Sequence, residues 1–330
     1  MTSDKGMISV VTPVYGCTDC LEALADAVRH ALSETGLNWE LILVDDRGPD
    51  DPWPTICELS ALDSRVRGVR LSRNHGQHLA IWAGLQASKG DWVAVIDCDL
   101  QDDPAIIPAL LEQAKEDPEL QAVVVERGKW KDSWFRRAAS RFFYWFIDTL
   151  VGVRLNNNVG NFGIYSRRLV NILLQFREQE VFLPVMVALT SQKRGFYVLD
   201  RSDRAAGESS YNLLRLMRLA VAIIIRFSDR PLKLSVIVGL LFSTASAGFS
   251  VLILIAWSVN AFTVPGWTSI ILSVWFLSGL ILAVLGVHGF YLGRVFAEVQ
   301  QRPRILIDCE TISGEVVEFT PEPVQANRKW

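Results

Sequence analysis

The sequence predicts an α/β chain: a doubly wound, mostly parallel sheet, followed by membrane-interface helices and a two-helix transmembrane hairpin. Three observations carry this. Short apolar runs alternate with helix-spaced segments from Met7 to Val125, the pattern of strands joined by crossover helices. Acids stand where two of those runs end, at Asp45-Asp46 and at Asp97-Cys98-Asp99. No Asp, Glu, Lys or Arg occurs between Lys233 and Arg294, although 21% of the 330 residues are charged.

Met7 to Thr12 reads as the first strand, ending in Pro13-Val14-Tyr15-Gly16, and Leu21 to Leu32 has helical spacing. The turn between them lacks G-x-G-x-x-G, which argues against a dinucleotide-dependent enzyme. Trp39 to Val44 is the second strand. Asp45-Asp46 at its end reads either as an acidic strand tip or as a turn and cap ahead of a helix from Trp53 to Leu62. Val66 to Ser72 is the third strand, and a helix runs through Ala87 after Arg73-Asn74-His75-Gly76-Gln77-His78. His75 and His78 read as polar loop groups near a phosphate rather than as catalytic groups.

Gly90 opens the fourth strand with a turn signal, and the apolar run to Ile96 suits a strand buried on both faces. In an open α/β sheet the ligand crevice lies beyond the carboxyl ends of the strands, where Asp97 and Asp99 are delivered. Two acids two positions apart, followed by Gln101, can converge hard oxygen ligands on a divalent cation that also holds a phosphate-rich substrate. Asp102-Asp103-Pro104 reads as the acidic start of a helix reaching Glu116. A fifth strand, Leu120 to Val125, ends in Glu126-Arg127-Gly128-Lys129.

Beyond Trp134 the character changes. Trp134 to Phe146 joins a basic face to a dense aromatic one, suiting either a membrane-interface helix or an amphipathic helix packed on the sheet. A second such segment, Tyr211 to Phe227, carries Arg215, Arg218 and Arg226. Between them, Asn161 to Ser166 and Phe196 to Leu199 read as strands, and Arg167 to Gln175 and Val181 to Ser191 as helices. Leu232 to Val259 and Ile270 to Tyr291 are each long enough to cross a ~30 Å hydrocarbon core. A charge at mid-span would cost roughly 2.5–3.5 kcal/mol, and neither run carries one. The short Pro265-Gly266 turn makes them a hairpin. Arg226, Arg230 and Lys233 before it, with Arg294, Arg302 and Arg304 after it, put both flanks in the cytoplasm.

The expected organisation is a cytoplasmic catalytic domain over 1–200, an acceptor loop and juxtamembrane helix over 201–231, two spans over 232–293 and a cytoplasmic tail over 294–330. Arg304 to Asp308 reads as a short strand, and the residues from about Thr320 as disordered. No apolar leader precedes the first strand, so no secretory signal is expected. Five scattered cysteines fit reduced thiols, including the Cys17-Thr18-Asp19-Cys20 pair. The net charge of −3 averages an acidic soluble part with basic membrane-proximal segments. No nucleic-acid partner is expected.

Thr12-Pro13-Val14-Tyr15, Val44-Asp45-Asp46, Asp97 to Pro104 and Gly207-Glu208-Ser209-Ser210-Tyr211, ahead of a two-helix anchor, resemble the family 2 glycosyltransferases that load a sugar onto a polyprenyl phosphate. The resemblance runs from about Ile8 to Arg304. It implies a GT-A fold and inverting transfer from a nucleotide-sugar to a lipid phosphate at the cytoplasmic face of a bacterial plasma membrane. It implies that Pro13, Tyr15, Asp45 and Asp46 line the nucleoside pocket and that Asp97 touches the ribose or sugar. Asp99 and Gln101 would hold Mg²⁺ or Mn²⁺ on the diphosphate. Arg127 and Arg141 would face phosphates, and Arg204, Ser209 and Ser210 would cover the acceptor phosphate. The pattern departs at Gly16-Cys17, where Asn-Glu is common, at Ser210, where Lys is common, and at Asn158, where Asp is common. Two other readings stay open: a catalytically silent nucleotide-sugar-binding membrane partner, and a family 2 transferase with another lipid acceptor. A homo-oligomer through the tail strand is a further expectation.

Overall fold

A computed structural model of the chain describes residues 6–127, 159–176, 181–191, 193–199, 266–300 and 302–318. Between 232 and 255 it describes positions 232, 233, 235–241, 244, 248, 251 and 255. The chain divides into two compact units. One comprises Met1–Asp132, Arg154–Ala205 and Pro303–Trp330, and the other Ser133–Val153 and Ala206–Arg302.

The first unit is built on one nine-stranded sheet. Its strands are β1 (Met7–Val14), β2 (Asn38–Asp45), β3 (Val66–Leu71), β4 (Trp92–Val95), β5 (Ala122–Arg127), β6 (Val159–Ser166), β7 (Arg194–Leu199), β8 (Ile307–Ile312) and β9 (Glu315–Glu318). They lie in the order β7-β5-β6-β4-β1-β2-β3-β8-β9. Helices α1 (Leu21–Ser33), α2 (Trp53–Leu62), α3 (Gln77–Ala87), α4 (Ile107–Glu116), α5 (Arg167–Leu173) and α6 (Leu183–Thr190) cover its two faces.

Why the central strands lack the apolar-polar alternation of a half-exposed sheet is visible in where their side chains go. Val10, Leu41 and Leu43 enter one core with α1, α2 and α4. Val11, Ile42 and Val44, the next residues along, enter the other core with α3, α5 and α6. Each such Val, Leu or Ile is worth about 1.5–3 kcal/mol when fully buried, so a polar residue on either face would be costly. Gly84 lets α3 seat on β1: a Cβ there would collide with the Val11 side chain.

The strands and helices expected in this unit are all present, but two expectations need correction. The sheet is mixed rather than mostly parallel. β1, β2, β3 and β4 run parallel, as do β5 and β7, whereas β6 runs against both β4 and β5. A buried strand reads the same in either direction, which is why composition did not reveal the reversal. The tail holds a hairpin rather than one short strand: β8 pairs antiparallel with β3, and β9 with β8. Ser313 and Gly314 both take positive φ at its turn, 53° and 80°, as a two-residue type I′ connection requires. Arg67 fastens the hairpin to the sheet, pairing with buried Glu40 at 2.9 Å and with Glu310 of β8 at 3.5 Å.

In the second unit, α7 (Trp267–Val299) extends the expected Ile270–Tyr291 run at both ends. Its Phe276–Gly293 stretch, with mean hydropathy 1.8, is long and apolar enough to cross a membrane. Only scattered helical positions are described in the Leu232–Val259 run. Among the described residues there is thus one candidate span, and the expected hairpin is not shown. Trp134 to Phe146 and Tyr211 to Phe227 lie outside the described residues.

Candidate active site

β1 and β4 are neighbours, yet the chain leaves β1 through α1 on one face and reaches β4 through α3 on the other. This reversal makes the gap at their carboxyl ends a topological switch point, where doubly wound sheets bind ligands. Tyr15 follows β1 there and is 55% exposed, while Pro13 before it is buried. Val14 stands opposite Asp45 in the β1–β2 register, and the Asp46 N–H donates to the Val14 carbonyl at 3.1 Å. The Ile96 N–H donates to the Val11 carbonyl at 3.0 Å, which brings Asp97 to the same end of the sheet. The topology thus gathers Pro13, Tyr15, Asp45, Asp46, Asp97, Asp99 and Gln101.

Asp45 is fully buried. One carboxylate oxygen accepts the Arg47 N–H at 2.8 Å, forming a local turn. The other lies 3.1 Å from the Arg70 Nε, close enough to feel its charge but not aligned as a hydrogen bond. Burial outweighs the Arg47 N–H and the Arg70 charge, and it pushes the Asp45 carboxyl above its ordinary range. Asp46, 2% exposed, accepts the backbone N–H of His75 at 2.7 Å and of Gly76 at 2.8 Å. Burial raises this carboxyl too, against those two donors. The His75 imidazole is pushed the other way, by burial and then by the Arg73 charge.

The loop after β4 is arranged by its own acids. Gln101 donates its N–H to Asp99 Oδ1 at 3.1 Å, and Asp103 accepts from the Ala105 N–H at 2.9 Å as the cap expected ahead of Pro104. Leu100 takes φ +57° and turns the chain between the two. Asp97 receives the Gln77 side-chain amide at 2.7 Å. Asp99 and Gln101 are exposed. Among the described residues, no group of three His, Cys, Asp or Glu side chains forms a cation site by itself. This donor set fits Mg²⁺ or Mn²⁺ held by one carboxylate and completed by substrate phosphates, the habit of a small hard cation.

Cys17 and Cys98 form a disulfide, with Cα atoms 6.3 Å apart, and Cys20 stays free. The expectation of reduced thiols is therefore corrected at these two positions. Cys98 stands between Asp97 and Asp99, so the bridge ties the loop after β1 to the acidic loop after β4. Four further residues were not singled out in the sequence. Asp50 braces the loop after Tyr15, accepting from the Gly16 N–H at 3.1 Å, the Thr18 N–H at 2.8 Å and the Thr18 hydroxyl at 2.6 Å. Burial would raise its carboxyl, but the Thr18 donors hold it below its ordinary range. Arg70 also pairs with Asp51 at 3.0 Å, and Gln77 reaches Asp97. Arg47 (φ +55°) donates to the Leu71 carbonyl at 2.7 Å and pairs with Asp308 of β8, so the tail hairpin touches the Asp45 loop.

Arg127 ends β5 opposite Leu199, with β6 between it and β4. Arg141, Arg204, Ser209 and Ser210 lie outside the described residues, as does Asn158.

The sequence pattern of the glycosyl transferase family 2 domain matches residues 9–173, from β1 through α5. The chain belongs to glycosyl transferase family 2. It is accordingly a glycosyltransferase, with a GT-A, Rossmann-like mixed sheet. It is 31% identical to an undecaprenyl-phosphate 4-deoxy-4-formamido-L-arabinose transferase of Aeromonas hydrophila, over 92% of this chain and 94% of that protein. It is 32% identical to the uncharacterized glycosyltransferase YkoT of Bacillus subtilis, over 100% of this chain and 98% of that protein. It is also similar to the crystal structure of mannosyl-3-phosphoglycerate synthase from Rubrobacter xylanophilus, at 20% identity and a TM-score of 0.48, over 69% and 74% of the two chains.

Proposed function

We propose that this glycosyltransferase moves a monosaccharide, with inversion, from a nucleotide-sugar to undecaprenyl phosphate at the cytoplasmic face of the membrane. The observation that carries the proposal is the near end-to-end similarity of this family 2 chain to undecaprenyl-phosphate 4-deoxy-4-formamido-L-arabinose transferases. In this reading buried Pro13, exposed Tyr15 and Asp45 form the nucleoside pocket, and Asp97 faces the ribose or sugar. Asp46 supports the pocket from below, because its oxygens already accept two backbone N–H groups. Asp99 and Gln101 would hold Mg²⁺ or Mn²⁺. That cation, when bound, supplies charge neutralisation to the departing nucleoside diphosphate.

The acceptor needs little activation. The second pKa of a phosphate monoester is about 6, so at neutral pH the lipid phosphate is already an anionic nucleophile. One of its oxygens attacks the anomeric carbon from the side opposite the diphosphate. The bond from that carbon to the diphosphate oxygen breaks as the new one forms, and no proton has to be removed. A dedicated base is therefore dispensable, which accounts for Asn158 where the family often has Asp. What remains for the protein is alignment. The family resemblance assigns that task to Arg127 and Arg141 for the phosphates and to Arg204, Ser209 and Ser210 for the acceptor headgroup.

In this reading α7 meets the membrane requirement, and the apolar Leu232–Val259 run of the sequence is proposed as a second span. Described apolar side chains such as Phe276, Leu285, Phe290 and Phe296 are exposed along α7, as suits a helix facing lipid rather than a protein core. The test is transfer by the purified full chain in detergent, from a panel of nucleotide-sugars to radiolabelled undecaprenyl phosphate with Mn²⁺ or Mg²⁺. A labelled lipid-linked sugar is expected with one donor, and Asp99→Ala should lower the rate by about 10³-fold. Donor binding without any turnover would instead mark a silent binding protein.

A further inference from the structure

We propose that Gln77 is a positioning residue for the donor-side acid Asp97, and that Asp46 acts through it by fixing the turn from which Gln77 projects. The proposal rests on the transferase reading above. It is carried by a continuous run of hydrogen bonds between two strand tips that are far apart in sequence.

At the tip of β2, buried Asp46 accepts the N–H groups of His75 and Gly76 at 2.7 and 2.8 Å. Gly76 has φ 89° and ψ 153°, a conformation that L side chains rarely adopt. The turn is thus specified at both ends, by a buried carboxylate and by a residue without a Cβ. Gln77 follows as the first residue of α3. That helix is held by Ala80, Ile81, Ala83 and Leu85, all buried, and by the close seat of Gly84 on β1. An element so packed cannot drift, so its first side chain starts from a fixed point.

From there the Gln77 amide donates to Asp97 Oδ1 at 2.7 Å, at the tip of β4. An amide suits this task better than a charged residue. Lys or Arg would neutralise the acid, and Glu would repel it, whereas Gln fixes one oxygen and leaves the negative charge in place for a donor hydroxyl. The run Asp46, His75-Gly76, Gln77, Asp97 therefore couples the nucleoside end of the site to its sugar end.

The experiment is a double-mutant cycle on the full chain in detergent, comparing Gln77→Ala, Asp97→Ala and the double variant, with Gln77→Glu as a second probe. A hydrogen bond to a charged group is worth roughly 10- to 100-fold in rate. Gln77→Ala is expected to lower kcat/KM for the nucleotide-sugar by that factor while the KM for undecaprenyl phosphate stays constant. In the Asp97→Ala background, which has no acceptor for the Gln77 amide, the same change should cost less than about 3-fold, since the two residues act as a unit. Gln77→Glu should cost more than Gln77→Ala. Full activity in Gln77→Ala, or losses that multiply in the double variant, would overturn the inference. If the wild type transfers no sugar, the transferase reading fails instead. The same cycle is then read from affinity for UDP and GDP with Mn²⁺, where multiplying losses would again overturn the positioning role. A wild type that neither transfers nor binds refutes both.

Discussion

The Cys17–Cys98 bridge gives the most quantitative prediction. The two residues are 81 positions apart, and the bridge closes that length of chain across the gap between β1 and β4. In the chain-entropy description, cross-linking a loop of this size removes about 15 cal/mol/K from the unfolded ensemble, or about 4.5 kcal/mol at 25 °C. With a urea m-value of about 3 kcal/mol/M, reduction should lower the unfolding midpoint of the catalytic unit by about 1.5 M. Pulse proteolysis of the full chain across a urea series, with and without a dithiol, reads this shift. The Cys17→Ser variant should start at the lower midpoint and ignore the dithiol. A thiol count checks the bond itself: five cysteines are present, and Cys20, Cys57 and Cys309 are free. Denatured, unreduced protein should therefore titrate three thiols, rising to five after reduction. Five thiols before reduction, or midpoints that coincide, would refute the bridge and the reasoning built on it.

Two further predictions follow from buried or paired carboxylates elsewhere in the unit. Arg65 and Arg29 around Asp63 hold its carboxyl down to about 2. The side chain is only 9% exposed, so Asp63→Asn should cost about 2 kcal/mol in urea unfolding at pH 7. That stability is present above the ordinary value of 3.8 and is lost as pH falls through about 2, so the variant and wild type should converge in strong acid. Asp45 has the opposite sign. Burial raises its carboxyl, so the fold favours the protonated form, and stability is lost as pH rises from 3.8 through the raised value. Asp45→Asn should remove that decline from the unfolding midpoint while weakening nucleoside diphosphate binding in calorimetry. An unchanged pH slope would show that Asp45 does not titrate in this window.

What could be read in the sequence was whatever is encoded along the chain. The acids after Val44 and Ile96 were visible because a strand that is buried on both faces ends abruptly when charge begins. The helix from Trp53 to Leu62 was visible as the segment between two apolar strand runs, and the structure has it with the same bounds. What could not be read depends on which strand lies beside which. Cys98 meets Cys17 because β4 is placed against β1, and no spacing in the chain announces that. Asp45-Asp46, legible only as strand tip or turn, proves to be divided between the two. Asp45 turns back onto Arg47, while Asp46 reaches across to the His75–Gly76 backbone. The same neighbour relation decides the roles of Arg70 and Gln77, which looked like ordinary loop and strand residues. A motif search finds the groups that would touch a substrate, because their identity is constrained by chemistry. The groups that aim them are constrained by geometry: Arg70 on β3 and Gln77 at the start of α3 lie outside every acidic motif, and Asp46 lies inside one without its geometry being legible there.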